Sequence, residues 1–358
     1  MSGFADQPYR ARPLTGPGPV GMPPELEPRR LQRRTLQVVI ALAVVALIVF
    51  LAPGLGQVRD KLEGASPGWI ALAVALEAMS GLSYVVMFKP LFCPRMPWRT
   101  SFEIGWSELG MGSIVPASGA GGLALGAWIL HEGGMPADQI ARRSVAFFLL
   151  KSSVNFAAVA VLGTLMAVGV VGPHRSLLLT AFPAVGAALV IAVVFYLPRL
   201  GPGSAPDAGA GRVRRLLASA RQHLIGGIAE AVEILRVRDR QVLAGALGYW
   251  AFDNAVLWAT FHAVGASPEI SIVLIGYLIG QLGGLLPLPG GLGGIDGGLL
   301  GTLVLYGTPV ASTAAAVLAY RLILFWLPLV VGAIAFVSLR RGLNDPDRPE
   351  LCVVPAAT

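Results

Sequence analysis

Long runs of apolar residues, separated by short charged segments, dominate the chain. A helix that spans a bilayer needs about 20 predominantly apolar residues, and seven runs come close to this length or exceed it. Because such runs leave no polar face for water, the pattern predicts an all-α polytopic membrane protein and excludes a soluble bundle. The predicted spans are Leu36–Ala52, Gly68–Phe88, Ser144–Gly172, Leu177–Pro198, Val242–Val264, Ile270–Leu288 and Val310–Leu339.

Two further apolar stretches, Gly105–Leu130 and Pro289–Gly307, are unusually rich in glycine. The loops 89–103 and 199–240 carry more basic than acidic residues, which places both on the cytoplasmic side by the positive-inside rule. Both assignments hold only if Gly105–Leu130 crosses the membrane zero or two times. We therefore interpret the two glycine-rich stretches as re-entrant hairpins.

The two ends of the chain differ from the apolar region between them. Residues 1–35 contain seven prolines and six arginines against three acids, which predicts a disordered basic tail. Four of these arginines precede Leu36–Ala52 directly, so the N-terminus is expected in the cytoplasm. We divide the chain into this tail, a membrane domain over 36–340 and a short tail over 341–358.

One part of the long cytoplasmic loop has helical periodicity. Apolar residues recur at three- and four-residue steps across 212–239, and most of the arginines lie off that stripe. The pattern predicts an amphipathic helix. Two placements stay open: the helix lies on the inner leaflet, or it packs on the cytoplasmic end of the bundle.

Composition supports the membrane class, since 55% of the residues are hydrophobic and only 13% are charged. The net charge of +7 is best explained by topology, with lipid headgroups and not nucleic acid as partners. The two cysteines form no CxxC motif, and the four histidines show no ligand spacing. No metal, cofactor or catalytic constellation is therefore predicted, and the chain is not expected to be an enzyme.

An internal repeat relates two halves of the chain, about 68–172 and about 270–339. Each half has a glycine-rich segment that begins with proline, a second proline 20 positions later, and then a long span with one cation. These landmarks are Pro116, Pro136 and Lys151 in the first half, and Pro289, Pro309 and Arg321 in the second.

Paired, glycine-broken apolar segments are typical of transporter binding sites. Backbone at membrane depth must be hydrogen-bonded or line a wet cavity. Glycine lets its N–H groups turn toward an anion at a helix N-terminus. The alternative is close helix packing, which small residues also favour. Whether the repeats are parallel or inverted stays open.

One family resembles this chain at two places: the run from Pro287 to Asp296 and the downstream pair Tyr320-Arg321. It is the lysylphosphatidylglycerol synthase transmembrane family, which is also described as flippase-like. Val115 to Trp128 resembles the first-half segment of that family, and the likeness covers about Leu36 to Arg341. The chain departs from the family at Asp296, where Glu is expected, and at Lys151, where Arg is commoner.

The resemblance implies a membrane domain that translocates lipid, without the soluble domain that aminoacylates it. A phospholipid would then be the ligand, and a separate lipid-modifying enzyme is a candidate partner. The oligomeric state is not predicted.

Ionisable groups within apolar spans are functional candidates because they are costly there unless they are paired or wet. Arg321 is the strongest candidate for a phosphate group, since a guanidinium is a planar fork of donors. The alternative is an ion pair with Asp296 or Asp253. The predicted substrate-binding residues are Arg321, Lys151, Asn155, Ser118, Gly119, Gly121, Gly122, Pro289, Gly290, Gly291, Gly293 and Asp296. Glu77, Glu108 and Asp253 are candidates for proton or ion coupling.

The pattern and the resemblance together predict a translocase or scramblase for an anionic or aminoacylated phospholipid, in a bacterial cytoplasmic membrane. Two alternatives stay open. One is a secondary transporter of a small anionic solute, which the same repeat would serve. The other is an accessory protein of envelope biogenesis that transports nothing.

Overall fold

A computed structural model describes residues 33, 35–37, 39–40, 55–114, 120–172, 177–201, 211–282 and 294–343. All regular structure in these ranges is helical, as predicted. Most of the first predicted span and almost all of both predicted tails lie outside them. The helices are α1 (Gly56–Glu63), α2 (Pro67–Phe92), α3 (Trp98–Ile114), α4 (Ala120–Glu132), α5 (Ala137–Ala167), α6 (Leu177–Tyr196), α7 (Arg212–Val237), α8 (Arg240–Ala263), α9 (Ile270–Leu282), α10 (Gly294–Leu305) and α11 (Val310–Leu343).

Within the described residues, four helices are long and apolar enough to cross a membrane: α2, α5, α6 and α11. They coincide with four predicted spans. The predicted span Val242–Val264 is the helix α8, which has 24 residues but carries Asp253 and Asn254 in its middle. The structure thus supports a multi-pass membrane protein, while the count of seven spans stays a prediction.

The glycine-rich regions form two pairs of short helices. In one pair α3 packs on α4, and in the other α9 packs on α10. The helices α9 and α10 have 13 and 12 residues, about 20 Å and 18 Å of helix, which is shorter than a hydrocarbon core of about 30 Å. The segments that join each pair, 115–119 and 283–293, lie outside the described residues. The re-entrant geometry, like the predicted span over 270–288, therefore stays a prediction.

The helices α2 and α8 form the most extensive contact of the bundle. A glycine allows this close approach, because a Cβ atom at Gly245 would lie 2.6 Å from the backbone nitrogen of Met87 and 2.8 Å from the carbonyl oxygen of Ser83. Ser80 of α2 also donates a hydrogen bond to the carbonyl oxygen of Tyr249 on α8. The pair α2–α8 is thus tightly packed, and α3, α5, α9 and α11 each contact one or both of its helices.

Each short pair contacts a long helix that is distant in sequence. Helix α3 packs on α11, and α9 packs on α5. At the first crossing Gly110 and Gly332 face each other, and a Cβ at Gly332 would lie 2.5 Å from the carbonyl oxygen of Trp106. Small residues therefore bring these helices into backbone contact, as in other membrane bundles.

The predicted amphipathic helix is α7, and most of it packs on α5. Gly227 lies against Val145, and Glu230 pairs with Arg143 at 3.5 Å. Burial raises the pKa of the Glu230 carboxyl, and the neighbouring Arg143 opposes this rise. Near its start, Val213 and Leu217 leave 70% and 64% of their surface exposed. The later turns of α7 thus pack on the bundle. That its first turns contact the inner leaflet stays a prediction.

We predict that Gly245→Ala destabilises the protein, because the new methyl group meets backbone atoms of α2 that cannot move without separating the two helices. The expected loss is about 1–3 kcal/mol, measured as a lower midpoint of thermal unfolding in detergent. Gly186→Ala on α6 is the matched control, since nothing lies within 4 Å of a Cβ there. An equal effect of both substitutions would contradict the packing at Gly245.

Candidate functional site

Ionisable and phenolic side chains from seven helices meet in the middle of the bundle, and we call this set the central polar cluster. Because unpaired charge is expensive at bilayer depth, such a gathering requires partners for each group. The cluster consists of the carboxyl groups of Glu77, Glu108, Asp253 and Asp296, the cations Lys151 and Arg321, and the phenols of Tyr84, Tyr249, Tyr277 and Tyr320.

Arg321 and Asp296 form a two-pronged ion pair between α11 and α10. The Nε–Oδ1 distance is 2.8 Å and the Nη2–Oδ2 distance is 3.0 Å. Asp296 lies in the first turn of α10, where the helix dipole favours a negative charge. The side chains keep 15% and 23% of their surface exposed, so the pair lies at the edge of the cluster and is not sealed inside it.

Lys151 of α5 lies between two aromatic rings. Its Nζ atom is 5.4 Å from the ring centre of Tyr249 and 5.9 Å from that of Tyr84, distances at which a cation is attracted to an aromatic face. The carboxylate of Glu108 attracts it as well. Asn155 follows one turn later on α5, and its Oδ1 atom is buried with no hydrogen-bond partner among the described residues.

Glu108 connects α3 to α2 and α4. Its Oε2 atom accepts a hydrogen bond of 2.7 Å from Tyr84, whereas Oε1 is buried with no hydrogen-bond partner in the described part of the chain. Helix α4 lies directly on this residue, since a Cβ at Gly126 would be 1.4 Å from Oε1. Only glycine fits at that point.

Asp253 of α8 joins the cluster to α9 and α11. Tyr277 donates a hydrogen bond to Oδ2 at 2.5 Å and Tyr320 donates one to Oδ1 at 2.8 Å. Both Lys151 and Arg321 are close enough to attract this carboxylate. The two cations predicted from the sequence repeat are thus brought to one carboxylate, although 170 residues separate them in sequence.

The predicted glycine sites have different outcomes. Gly121 lies in the first turn of α4. Gly122 packs against α3: a Cβ at this position would lie 2.2 Å from the carbonyl oxygen of Glu108. At Gly122 the structure thus supports the alternative of close helix packing. The remaining predicted loop residues lie outside the described residues, and their role stays a prediction: Ser118, Gly119, Pro289, Gly290, Gly291 and Gly293.

The four tyrosines are functional candidates that sequence reasoning missed. A signal was present, because a tyrosine deep in an apolar span needs a partner for its hydroxyl group. Tyr249 precedes Asp253 by four residues, and Tyr320 directly precedes Arg321. Tyr249 and Tyr320 thus each lie on the same helix as a residue that the sequence singles out as a candidate.

Comparison with known proteins gives the family. The family described as the lysylphosphatidylglycerol synthase TM region matches residues 38–332. The chain belongs to this family. The matched range contains every residue of the central polar cluster, so the family resemblance seen in the glycine-rich segments extends over the helices that build the site.

Curated relatives of this lysylphosphatidylglycerol synthase TM family occur in Methanothermobacter thermautotrophicus, and each is named a UPF0104 membrane protein. One is 27% identical over 354 residues, which covers 88% of this chain and 96% of the relative. A second is 24% identical over 336 residues, with 86% and 95% covered. A third is 34% identical over 86 residues, about a quarter of either chain. The likeness to the first two thus extends over nearly the whole relative.

We predict that Arg321→Gln and Asp296→Asn are coupled in stability. Either change alone leaves a half-buried charge without its partner, whereas the double variant removes both charges. A double-mutant cycle of unfolding in detergent is expected to give a coupling energy of about 1–2 kcal/mol. The pair Arg99–Glu103, in which 83% of the Arg99 side chain and 13% of the Glu103 side chain are exposed, is the control and should give about 0.5 kcal/mol or less, because water screens the exposed arginine. Additive effects of the two substitutions would show that the pair does not contribute to stability.

Proposed function

We propose that this protein binds an anionic or aminoacylated phospholipid and moves its headgroup across the cytoplasmic membrane. The supporting observation is that α11, a helix long and apolar enough to cross a membrane, carries Arg321, mostly buried in its pair with Asp296, and an apolar groove on another of its faces. A lipid has the same two parts, a charged headgroup and a hydrocarbon chain. The family membership agrees with this proposal, since the family is named after a lipid-modifying protein.

Arg321 has the donors that a phosphate group needs. A guanidinium carries five N–H groups in a planar fork, and Asp296 engages two of them, on Nε and Nη2. Asp296 leaves the other three N–H groups of the guanidinium to donate to phosphate oxygens. Asp296 meanwhile holds the plane of the guanidinium in one orientation, which lowers the entropy lost when a ligand binds.

An apolar groove lies between α2 and α11, the helix that carries Arg321. It is lined by Val74 of α2 and by Leu322, Ile323, Trp326, Leu327 and Val330 of α11. Arg321 lies on another face of α11, because consecutive residues of a helix point about 100° apart. The polar site and the groove therefore share one helix.

The groove favours a lipid over a small anionic solute. A solute transporter needs the polar site but no apolar groove on the helix that carries it. An acyl chain in the groove would exchange contacts with membrane lipid for contacts with the same helix that carries Arg321. The proposed path replaces water around the headgroup with fixed donors at membrane depth, which removes the main cost of flipping a charged lipid.

The proposal predicts that Arg321→Gln lowers the flipping of fluorescent phosphatidylglycerol in proteoliposomes by about tenfold or more, since it removes charge-assisted hydrogen bonds to phosphate. Arg321→Lys should retain part of the rate, because the charge stays and the fork is lost. Chemical quenching of the outer-leaflet label measures the rate. Arg341→Gln, an exposed arginine near the end of the same helix, is the matched control and should flip at the wild-type rate.

Three results distinguish the proposal from its alternatives. Unchanged flipping by Arg321→Gln would refute the assigned role of this residue. Uptake of a small phosphate or carboxylate solute without lipid flipping would identify a solute transporter. Absence of both activities in wild-type proteoliposomes would favour an accessory protein that transports nothing.

A further inference from the structure

The central polar cluster has more acids than bases. It contains the four carboxyl groups of Glu77, Glu108, Asp253 and Asp296, but only the two cations Lys151 and Arg321. Asp296 engages Arg321 directly, and Lys151 is shared between Glu108 and Asp253. If every carboxyl group were ionised, the middle of the bundle would carry an uncompensated negative charge, which is expensive at bilayer depth.

Glu77 is the carboxyl group with the fewest partners. Only 7% of its surface is exposed, and its Oε2 atom has no hydrogen-bond partner among the described residues. The nearby charged group that affects Glu77 is Asp253, another acid. Two buried carboxylates repel each other, and a positive charge bound between them would remove this repulsion.

Ser80 of α2 contacts Tyr249 of α8, and the two helices run antiparallel past each other, so Glu77, about one turn before Ser80, comes close to Asp253, about one turn after Tyr249. The surface of Asp253 is 5% exposed, and its two oxygens accept hydrogen bonds from Tyr277 and Tyr320. These phenols stabilise the carboxylate but add no positive charge. The structure therefore places two acids together at its most tightly packed helix contact.

We propose that Glu77 and Asp253 together hold one monovalent cation, either a proton or a sodium ion. The two sources share one chemistry, a single positive charge bound by carboxylate oxygens. Helices α5, α8, α9 and α11 present further groups around the pair: Lys151, Tyr249, Tyr277, Tyr320 and Arg321. Lys151 and Arg321 act on Asp253, whereas Oε2 of Glu77 has no hydrogen-bond partner among the described residues and is left for the bound ion.

A gradient of the bound cation across the membrane would drive lipid movement, which rests on the proposed function. Asp253 is tied to α9 and α11 through its two tyrosines, and α11 carries Arg321. Arrival or loss of a charge at Glu77 thus changes the electrostatic balance beside the headgroup site. Cation binding itself does not depend on lipid transport and can be measured without it.

The test uses the full-length protein in lipid nanodiscs and compares wild type with Glu77→Gln and Asp253→Asn. Both substitutions keep the size of the side chain. Glu63→Gln, an exposed acid on α1, is the matched control. Two properties are measured: the midpoint of thermal unfolding in sodium chloride against choline chloride, and the infrared absorption of protonated carboxyl groups from about pH 4 to about pH 10.

A sodium site predicts that sodium raises the unfolding midpoint of wild type and of Glu63→Gln by about 3 °C or more, but not that of Glu77→Gln. A proton site predicts no specific effect of sodium. Instead, a protonated-carboxyl band titrates in wild type and Glu63→Gln, and it is lost or shifted in Glu77→Gln and Asp253→Asn.

The proposal is overturned if wild type shows neither a sodium effect nor a titrating carboxyl band, a result that needs no variant to fold. It is also overturned if Glu77→Gln and Glu63→Gln, both folded, behave alike in both measurements. Imposed pH and sodium gradients in the lipid-flipping assay then test the coupling. Cation binding without any lipid movement would contradict the proposed function and leave the cation site intact.

Discussion

The high cost of an unpaired charge at bilayer depth constrains this whole structure. Most charged groups of the central polar cluster are paired with side chains from other helices: Arg321 with Asp296, Lys151 with Glu108 and two tyrosine rings, and Asp253 with two phenols. Since these partners lie on seven helices, satisfying the charges also sets the positions of the helices relative to one another. Polar chemistry and architecture are therefore not separable in this bundle.

Glycine makes these polar contacts reachable. The close approach of α2 and α8 at Gly245 brings the helices of Glu77 and Asp253 together, and the glycines of α4 allow it to lie on Glu108. In the second pair, Gly276 and Gly280 of α9 lie against Leu303 and Leu299 of α10, the helix that carries Asp296. The abundance of glycine, 45 residues, thus serves helix packing at these positions, and packing in turn positions the acids.

The proposed lipid site and the proposed cation site share one feature: fixed protein groups bind a charge within the membrane. At the edge of the cluster, the donors of Arg321 that Asp296 does not engage suit the phosphate of a lipid. In the interior, Glu77 and Asp253 suit a small cation. The two sites adjoin through Asp253, which Arg321 attracts and which Tyr320, the residue before Arg321, bonds. A lipid and an ion would therefore act on one connected set of side chains.

The sequence by itself determined the class of the protein, the main helices and most of the candidate residues. It could do so because a bilayer requires long apolar runs, and a single Lys151, Asp253 or Arg321 stands out in such a run. Tertiary structure alone decided the partners: the pairing of Arg321 with Asp296, the tyrosines on Asp253, and the contact of Gly122 with α3. Those contacts join helices far apart in sequence, and apolar periodicity carries no information about which helices meet.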